Sequence, residues 1–363
     1  MRALWVIVGT IFFFLIPSAG FSKDGDYPVV TLSEKFDCGE AEMEYPVFGR
    51  PALDKSVRNW AESYFKKVMG GYKKSCAEAK ENAKEAAKEA KEAGEEEGGW
   101  LSAMSSSWTF YGGFNVTTTP GAVSIGFDFT GYTGGAHEAY WSEPLTLDKE
   151  GKELGLADLF AKPEGLWEFL SKYAHAALRP TLGESWDDGF SDGLAPKADS
   201  FKRFVVIPHG LTLIFPAYQV APWAVRPAGQ DCAVPLTALA KFVPKPDIWG
   251  QPQTVSPSFD CEKAGNPVEA AICAEPLLAQ YDVDMAAEYK RALAVADDKE
   301  ALIKEQGRWR QQMQSECVDA TLQCIYEHYA TRLSELSPPS DFVYVDGQKV
   351  PRSEFEREFT EAD

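Results

Sequence analysis

Val123-Ser124-Ile125-Gly126-Phe127-Asp128-Phe129 alternates large apolar residues with small or polar ones without a break. Successive side chains of a β-strand point to opposite faces, so a period of two predicts a half-buried strand here. The neighbourhood supports a sheet. Trp108, Phe110, Phe114 and Val116 fit strands around Gly112–Gly113. Downstream, Thr130-Gly131-Tyr132-Thr133-Gly134-Gly135-Ala136-His137 reads as a turn. Further out, Val29–Leu32 and the Met43, Tyr45, Val47 series suggest two early strands. Phe204–Ile207 and Leu211–Phe215 flank Pro208-His209-Gly210, a hairpin signal, and Ala217 to Val225 reads as extended.

Helical periodicity appears on both sides of this sheet. Leu53, Val57, Trp60, Tyr64, Phe65 and Val68 recur every three or four residues until Gly70–Gly71 interrupts them. An Ala/Lys/Glu tract over 77–97 follows, built of strong helix formers with i,i+4 charge pairs, and reads as a solvated helical arm. Leu156 to Phe160 suggests a short helical piece. Leu166, Trp167, Leu170, Tyr173, Ala174 and Leu178 predict a longer amphipathic helix, and 235–242 a short one. The fold class is therefore α+β over 23–243: a mostly antiparallel sheet with packed helices.

Pro244, Pro246, Pro252 and Pro257 mark a linker over 244–257. Beyond it, 258–337 reads as a small all-helical domain. Pro267 opens one helix, a second runs over 276–296, a third starts near Lys299, and a last carries Cys324, Ile325, Tyr329 and Leu333. The remainder, 338–363, is a polar, acidic tail. At the other end, Arg2, the apolar run Leu4–Ile16 and Pro17-Ser18-Ala19-Gly20 read as a signal peptide over 1–22. The run is too short for a membrane span, so the expected destination is the periplasm or the exterior, with no integral membrane segment after signal removal.

Charge narrows the partners. The 363-residue chain has 55 Asp+Glu against 36 Lys+Arg, a net charge of −19. That argues against nucleic acid, which needs clustered basic residues, and against an anionic membrane surface. A basic protein partner suits it.

Export permits disulfides, and there are seven cysteines. Cys38 and Cys76 fit a tie between the first strands and the first helix. Cys261, Cys273, Cys317 and Cys324 staple the helical domain, with three possible pairings. On one unbroken helix, Cys317 and Cys324 would lie about 10 Å apart along the axis, beyond disulfide reach. They pair with each other only across a helix break. Crossing pairs to Cys261 and Cys273 are preferred, because staples between separate segments stabilise a small domain most. Cys232 is left odd, with two readings: a buried free thiol, or a cysteine that displaces one partner of the Cys38–Cys76 pair. No cysteine pair has zinc-knuckle spacing, so neither a metal nor a cofactor is expected.

Catalytic motifs are sparse. There are four histidines, and no metal-binding histidine pair, nucleophile elbow or Gly-rich phosphate loop. His137 and Glu138, with Asp128 brought near, form the one acid/base constellation worth stating. The binding candidates are Tyr132, His137, Glu138, Trp141 and Trp223, since aromatic anchors among acidic groups suit a basic partner.

Two resemblances bear on function. Tyr132-Thr-Gly-Gly-Ala-His137, Leu154-Gly-Leu-Ala-Asp-Leu-Phe160, Gly210 through Pro222 and Val234-Pro-Leu-Thr-Ala-Leu239 resemble the extracytoplasmic domain of the lysozyme-sensing anti-sigma factor RsiV and accessory regions of peptidoglycan deacetylases. That resemblance spans about 27–243. The chain shows neither a sigma-binding portion nor a deacetylase domain with its metal-binding histidines. The second is Cys261 to Cys273 with Asn266-Pro267, then Gln306-Gly-Arg-Trp309, Cys317, Cys324, Tyr329 and Arg332-Leu333. It resembles the LprI family of lysozyme-inhibitor domains over about 258–336. Together they imply a non-enzymatic, exported cell-envelope protein that binds a basic protein such as lysozyme. A peptidoglycan- or glycan-acting enzyme using Asp128, His137 and Glu138, or a structural glycan-binding module, is the alternative.

Overall fold

Leu53, Val57, Ala61, Phe65 and Met69 are all buried and repeat every four residues, which sets one stripe of helix α1 against a sheet. The computed structural model describes residues 21–22, 25–93, 108–135, 138–183, 186, 192–223, 229–336, 342–345 and 348–351. Residues 1–20 lie outside that set, and with them nearly all of the expected signal peptide. Helix α1 spans Pro51–Ala93. Its partner sheet has the order β1 (Phe21–Ser22), β2 (Gly25–Phe36), β3 (Gly39–Pro46), β4 (Trp108–Thr118), β5 (Ala122–Tyr132) and β6 (Ala139–Asp148). Neighbours are antiparallel except β3 and β4, which run parallel because α1 connects them. At their junction only glycine fits at position 39: a Cβ there would lie 1.8 Å from the Trp108 carbonyl oxygen.

Aromatic rings fill the space between helix and sheet. Trp60 stacks on Phe127 at 4.5 Å and Tyr64 on Phe129 at 4.8 Å. Gly70 and Gly71 do not end the helix as the sequence suggests. Tyr72 still packs on Phe110, and the Cys38–Cys76 disulfide clamps the next turn to the β2–β3 hairpin. The Ala/Lys/Glu tract is the exposed continuation of the same helix as far as Ala93.

A second sheet, β7 (Phe204–Ile207), β8 (Gly210–Phe215) and β9 (Gln230–Pro235), is antiparallel throughout. It packs against α2 (Leu166–Leu182), whose Leu170, Ala174 and Leu178 share a core with Leu211, Leu213, Cys232 and Val234. Cys232 is fully buried and unpaired, in keeping with one of its two readings.

Both edges of this small sheet are closed by side chains rather than by strands. On the β7 side, Val206 N donates to Ser124 Oγ at 2.8 Å and Thr117 Oγ1 donates to Val206 O at 3.0 Å. Ser124, in the alternating strand read as half-buried, is therefore 1% exposed. The first half of β5 is covered on both faces, and only Asp128 near its far end is open. On the β9 side the cap is Gln323. Its Oε1 accepts from Ala233 N at 3.1 Å, and its Nε2 donates to Asp231 O at 2.7 Å. An uncovered strand edge leaves backbone groups unpaired, and these contacts remove that liability.

Three further sequence expectations change. Of the stretch 217–225, the described residues 217–223 turn rather than extend: Tyr218 N donates to Ala221 O and Gln219 N to Pro216 O. The expected linker is packed in its first half. Pro244 bridges Phe160, short helices α3 (Leu236–Leu239) and α4 (Pro246–Trp249) flank that bridge, and Trp249 Nε1 donates to Ile207 O and Gly210 O. Within the polar tail, β10 (Phe342–Val345) and β11 (Gln348–Pro351) form a hairpin.

The helical region comprises α5 (Pro267–Ala274), α6 (Pro276–Val295), α7 (Lys299–Glu316) and α8 (Leu322–Leu336). Asn266, Glu275 and Asp298 cap the starts of α5, α6 and α7 with side-chain oxygens, where Ser, Asp or Asn normally serve. Its core takes in Ile207 and Ala233 from the second sheet, so the helices pack directly on the α+β part. The preferred crossing disulfides do not form. Cys261 bonds Cys273 and Cys317 bonds Cys324, each joining neighbouring turns. The stated condition for the second pair is met: α7 ends at Glu316, and the chain breaks before α8 begins at Leu322. The protein is α+β, with a disulfide-stapled helical region at its C-terminal end.

Candidate functional site

The described N-terminal candidates each have their own neighbours. Trp141 is structural: its Nε1 donates to Tyr64 Oη at 2.7 Å, and its ring packs on Phe129 at 5.5 Å. Asp128 accepts from Asn115 Nδ2 at 3.0 Å and from Ser142 Oγ, which ties β4, β5 and β6 together. Burial pushes its carboxyl pKa up, and those two donors oppose the shift. Glu138 accepts from Tyr140 Oη at 2.6 Å. The two carboxylates of the acid/base constellation are thus committed to different neighbours. His137 lies outside the described residues. Tyr132 and Trp223 are half-buried.

One aromatic missed by the sequence reading stands out in the same part of the chain. Tyr218 is 62% exposed and holds a positive φ of 68°. Non-glycine residues rarely adopt that region. Gln219 maintains it, donating through Nε2 to Gly193 O and Ser200 O.

A concavity lies elsewhere, where the end of α2 meets α7 and α8. It is a groove of about 540 Å³. Pro180 and Thr181 form one wall, with Trp309 and Gln312 from α7. The lining residues carry four carboxylates, Glu316, Asp319, Glu327 and Glu335, against one histidine, His328. Helix α8 supplies several of them from one face, because residues 324, 328, 331 and 335 are three or four apart. The Cys317–Cys324 disulfide forms part of the floor. Glu316 reaches His328 Nε2 at 3.2 Å and also accepts from Gln312 Nε2 at 2.8 Å. Glu327 is fixed by Gln230 and Gln323, each donating at 2.9 Å. Such a cleft concentrates negative potential and selects cationic groups. In the sequence these residues are scattered acids, and nothing short of the helix break at 317–321 brings them together.

The conspicuous motif residues of this region are interior. Arg332 is 2% exposed; its Nε donates to Gln306 Oε1 at 2.9 Å, and its Nη1 meets Glu305 and Glu335. Trp309 Nε1 donates to the His328 carbonyl at 3.3 Å. Tyr329 Oη donates to Asp282 Oδ1 at 2.9 Å, and Asp282 Oδ2 accepts from Ser258 N at 2.6 Å. Gln306, Trp309, Tyr329 and Arg332 therefore lock α6, α7 and α8 to one another. Gln306, Tyr329 and Arg332 build the scaffold of the groove, and Trp309 also lines it.

These features define a small disulfide-stapled helical module, seated on an α+β domain and presenting an acidic groove. Residues 261–336 of the chain match the family described as lysozyme inhibitor LprI. Residues 157–229, which include α2, β7 and β8, match DUF3298, a family described as of unknown function. Two solved structures of DUF3298 family proteins are similar. One, from Pseudomonas aeruginosa PAO1, is 18% identical, covers 63% of this chain and 99% of its own, and has a TM-score of 0.40. The other, from Bacteroides fragilis NCTC 9343, is 17% identical, covers 62% and 96%, and has a TM-score of 0.42. Comparison with curated proteins finds no match.

Proposed function

We propose that this is an extracytoplasmic binding protein that engages lysozyme, or an equally basic envelope hydrolase, and blocks it sterically. The observation that carries this reading is an acidic groove on the module that matches the lysozyme-inhibitor family. Over 261–336 there are fourteen acidic residues against eight basic ones, so the module itself is negative. Opposite charge steers encounter and fixes orientation. The resemblance of the N-terminal region to the RsiV extracytoplasmic domain points to the same partner class. Three disulfides suit an oxidising compartment, periplasmic or external. Among the described residues no helix is long and apolar enough to cross a membrane. Commitment of Asp128 and Glu138 to structural hydrogen bonds favours binding over catalysis. A second reading, a glycan-binding envelope module, is favoured by the exposed, pinned Tyr218.

The test is inhibition and binding of an animal-type lysozyme by the purified mature chain at low and high salt. Tight binding that weakens with salt is expected, since exposed charge pairs are screened. The double variant Glu316→Lys, Asp319→Lys should lose at least about tenfold in affinity, roughly 1.4 kcal/mol, with unchanged melting temperature. Absence of any binding at low salt would refute the reading.

A further inference from the structure

Three possible metal ligands meet on the floor of the groove. Sγ of Cys317, Sγ of Cys324 and a ring nitrogen of His328 all lie within 4.8 Å of one another. Glu316 lies beside this group, its Oε2 3.2 Å from His328 Nε2. Among the described residues this is the one cluster of three or more such groups. At present the sulfurs are spent on each other as a disulfide. The species that binds a metal is the thiolate. Reduction would therefore leave two thiols and one imidazole facing a common point.

We propose that reduction of the Cys317–Cys324 disulfide converts this corner of the groove into a Zn²⁺ site, with Cys317, Cys324 and His328 as ligands and the fourth position open to water. Thiolate and imidazole together select zinc among the common divalent ions. Around a tetrahedral zinc with Zn–S near 2.3 Å, the two sulfurs would sit about 3.8 Å apart. The bonded pair thus has to open, and the imidazole nitrogen, already within 4.8 Å of both sulfurs, has to settle about 3.5 Å from each. Side-chain torsions supply both movements, because Cys324 and His328 are one turn apart on α8 and Glu316 and Cys317 end α7.

The ligands stay in place without the disulfide. Helices α7 and α8 remain joined by Trp309 to the His328 carbonyl, by Arg332 to Gln306 and Glu305, and by the shared core of Met313, Ile325 and Tyr329. Access is open, since Cys324 and His328 both line the groove. The chemistry balances. A dithiol reductant gives two electrons and two protons to the disulfide and becomes a disulfide itself. Zinc then displaces the two thiol protons to solvent. The sequence reading excluded metal for want of knuckle spacing. The helix break supplies the proximity that spacing did not. This proposal stands whether or not the chain binds lysozyme.

The test uses the full mature chain, reduced with a dithiol, desalted without air and titrated with Co²⁺. Expected are a thiolate-to-cobalt band in the near ultraviolet and tetrahedral d–d bands, in the reduced chain only, both erased by Zn²⁺. Cys324→Ser should abolish the thiolate band, His328→Ala should weaken Co²⁺ binding at least about tenfold, and the double variant Cys261→Ser, Cys273→Ser should retain full binding. Far-ultraviolet circular dichroism should show the helices intact after reduction. No thiolate band in the reduced, folded chain would overturn the proposal. So would equal binding by the oxidised chain, a band that survives Cys324→Ser, or loss of helix on reduction.

Discussion

Replacing Gln323 by Leu tests the joint between the two parts of the molecule. Gln323 is 2% exposed and serves β9 through two hydrogen bonds, from Ala233 N and to Asp231 O, with a third to Glu327 on its own helix. Leucine keeps most of the volume and removes every polar contact. Ala233 is fully buried, so its N–H would lose its partner with no water to replace it. A buried group left unpaired costs about 1–3 kcal/mol. The Asp231 carbonyl keeps Gln230 Nε2 as a donor at 2.9 Å, so its loss is smaller, and the total is about 2–4 kcal/mol. That is a large share of a typical folding stability of about 5–15 kcal/mol. Urea unfolding, followed by tryptophan fluorescence and far-ultraviolet circular dichroism, measures it. The midpoint should fall by that amount, and the two signals should separate as the helical module loosens first. A change under about 0.5 kcal/mol with coincident transitions would refute the edge-cap argument.

Three further outcomes follow from other sites. Replacing Cys38 and Cys76 together by Ala removes a bridge between residues 38 apart in sequence. Stability should drop by about 3–4 kcal/mol from loop entropy, and amide exchange should quicken over 77–93. Arg332→Met leaves the buried Gln306 oxygen without its charged donor and should cost about 2–3 kcal/mol by chemical denaturation. His209 has a pKa held below 6.5, chiefly by burial, with Glu275 opposing. Its neutral form is favoured in the folded state, so the associated stability is complete above the unfolded pKa and is lost as pH falls through the folded one. His209→Asn keeps the positive φ of 63° tolerable and removes the titration. The wild type should lose more melting temperature than the variant between about pH 7.5 and 5.

Local patterns carried most of the architecture. The alternation at 123–129, the stripe from Leu53 to Phe65 and the hairpin around Pro208–His209 each encode their element through nearest neighbours, and all three appear in the structure. What the sequence hid is non-local. The burial of Ser124 depends on β7, about eighty residues away in the chain, supplying a donor. Gly70 and Gly71 lower helix propensity, but packing at Tyr72 and the Cys38–Cys76 bond override it. Disulfide partners followed the helix break rather than the gain from crossing pairs. The acidic groove was invisible for the same reason, since Glu316, Glu327 and Glu335 converge only after α7 and α8 fold back on each other. Conversely, three residues of the conspicuous motif, Gln306, Tyr329 and Arg332, reported the scaffold, and Trp309 alone of the four also lines the groove.

The closure of β9 by Gln323 also has a time axis. Asp231 and Gln323 are 92 residues apart, and chains are made at about 5–20 residues per second. For roughly 5–20 seconds of synthesis the three-stranded sheet therefore has no lid for its outer strand. If export begins during synthesis, the emerging chain crosses that interval with a sticky edge exposed. Ending the chain anywhere before α8 would make the interval permanent. The C-terminal module is thus a late-arriving protector of the domain that precedes it, whatever else it binds.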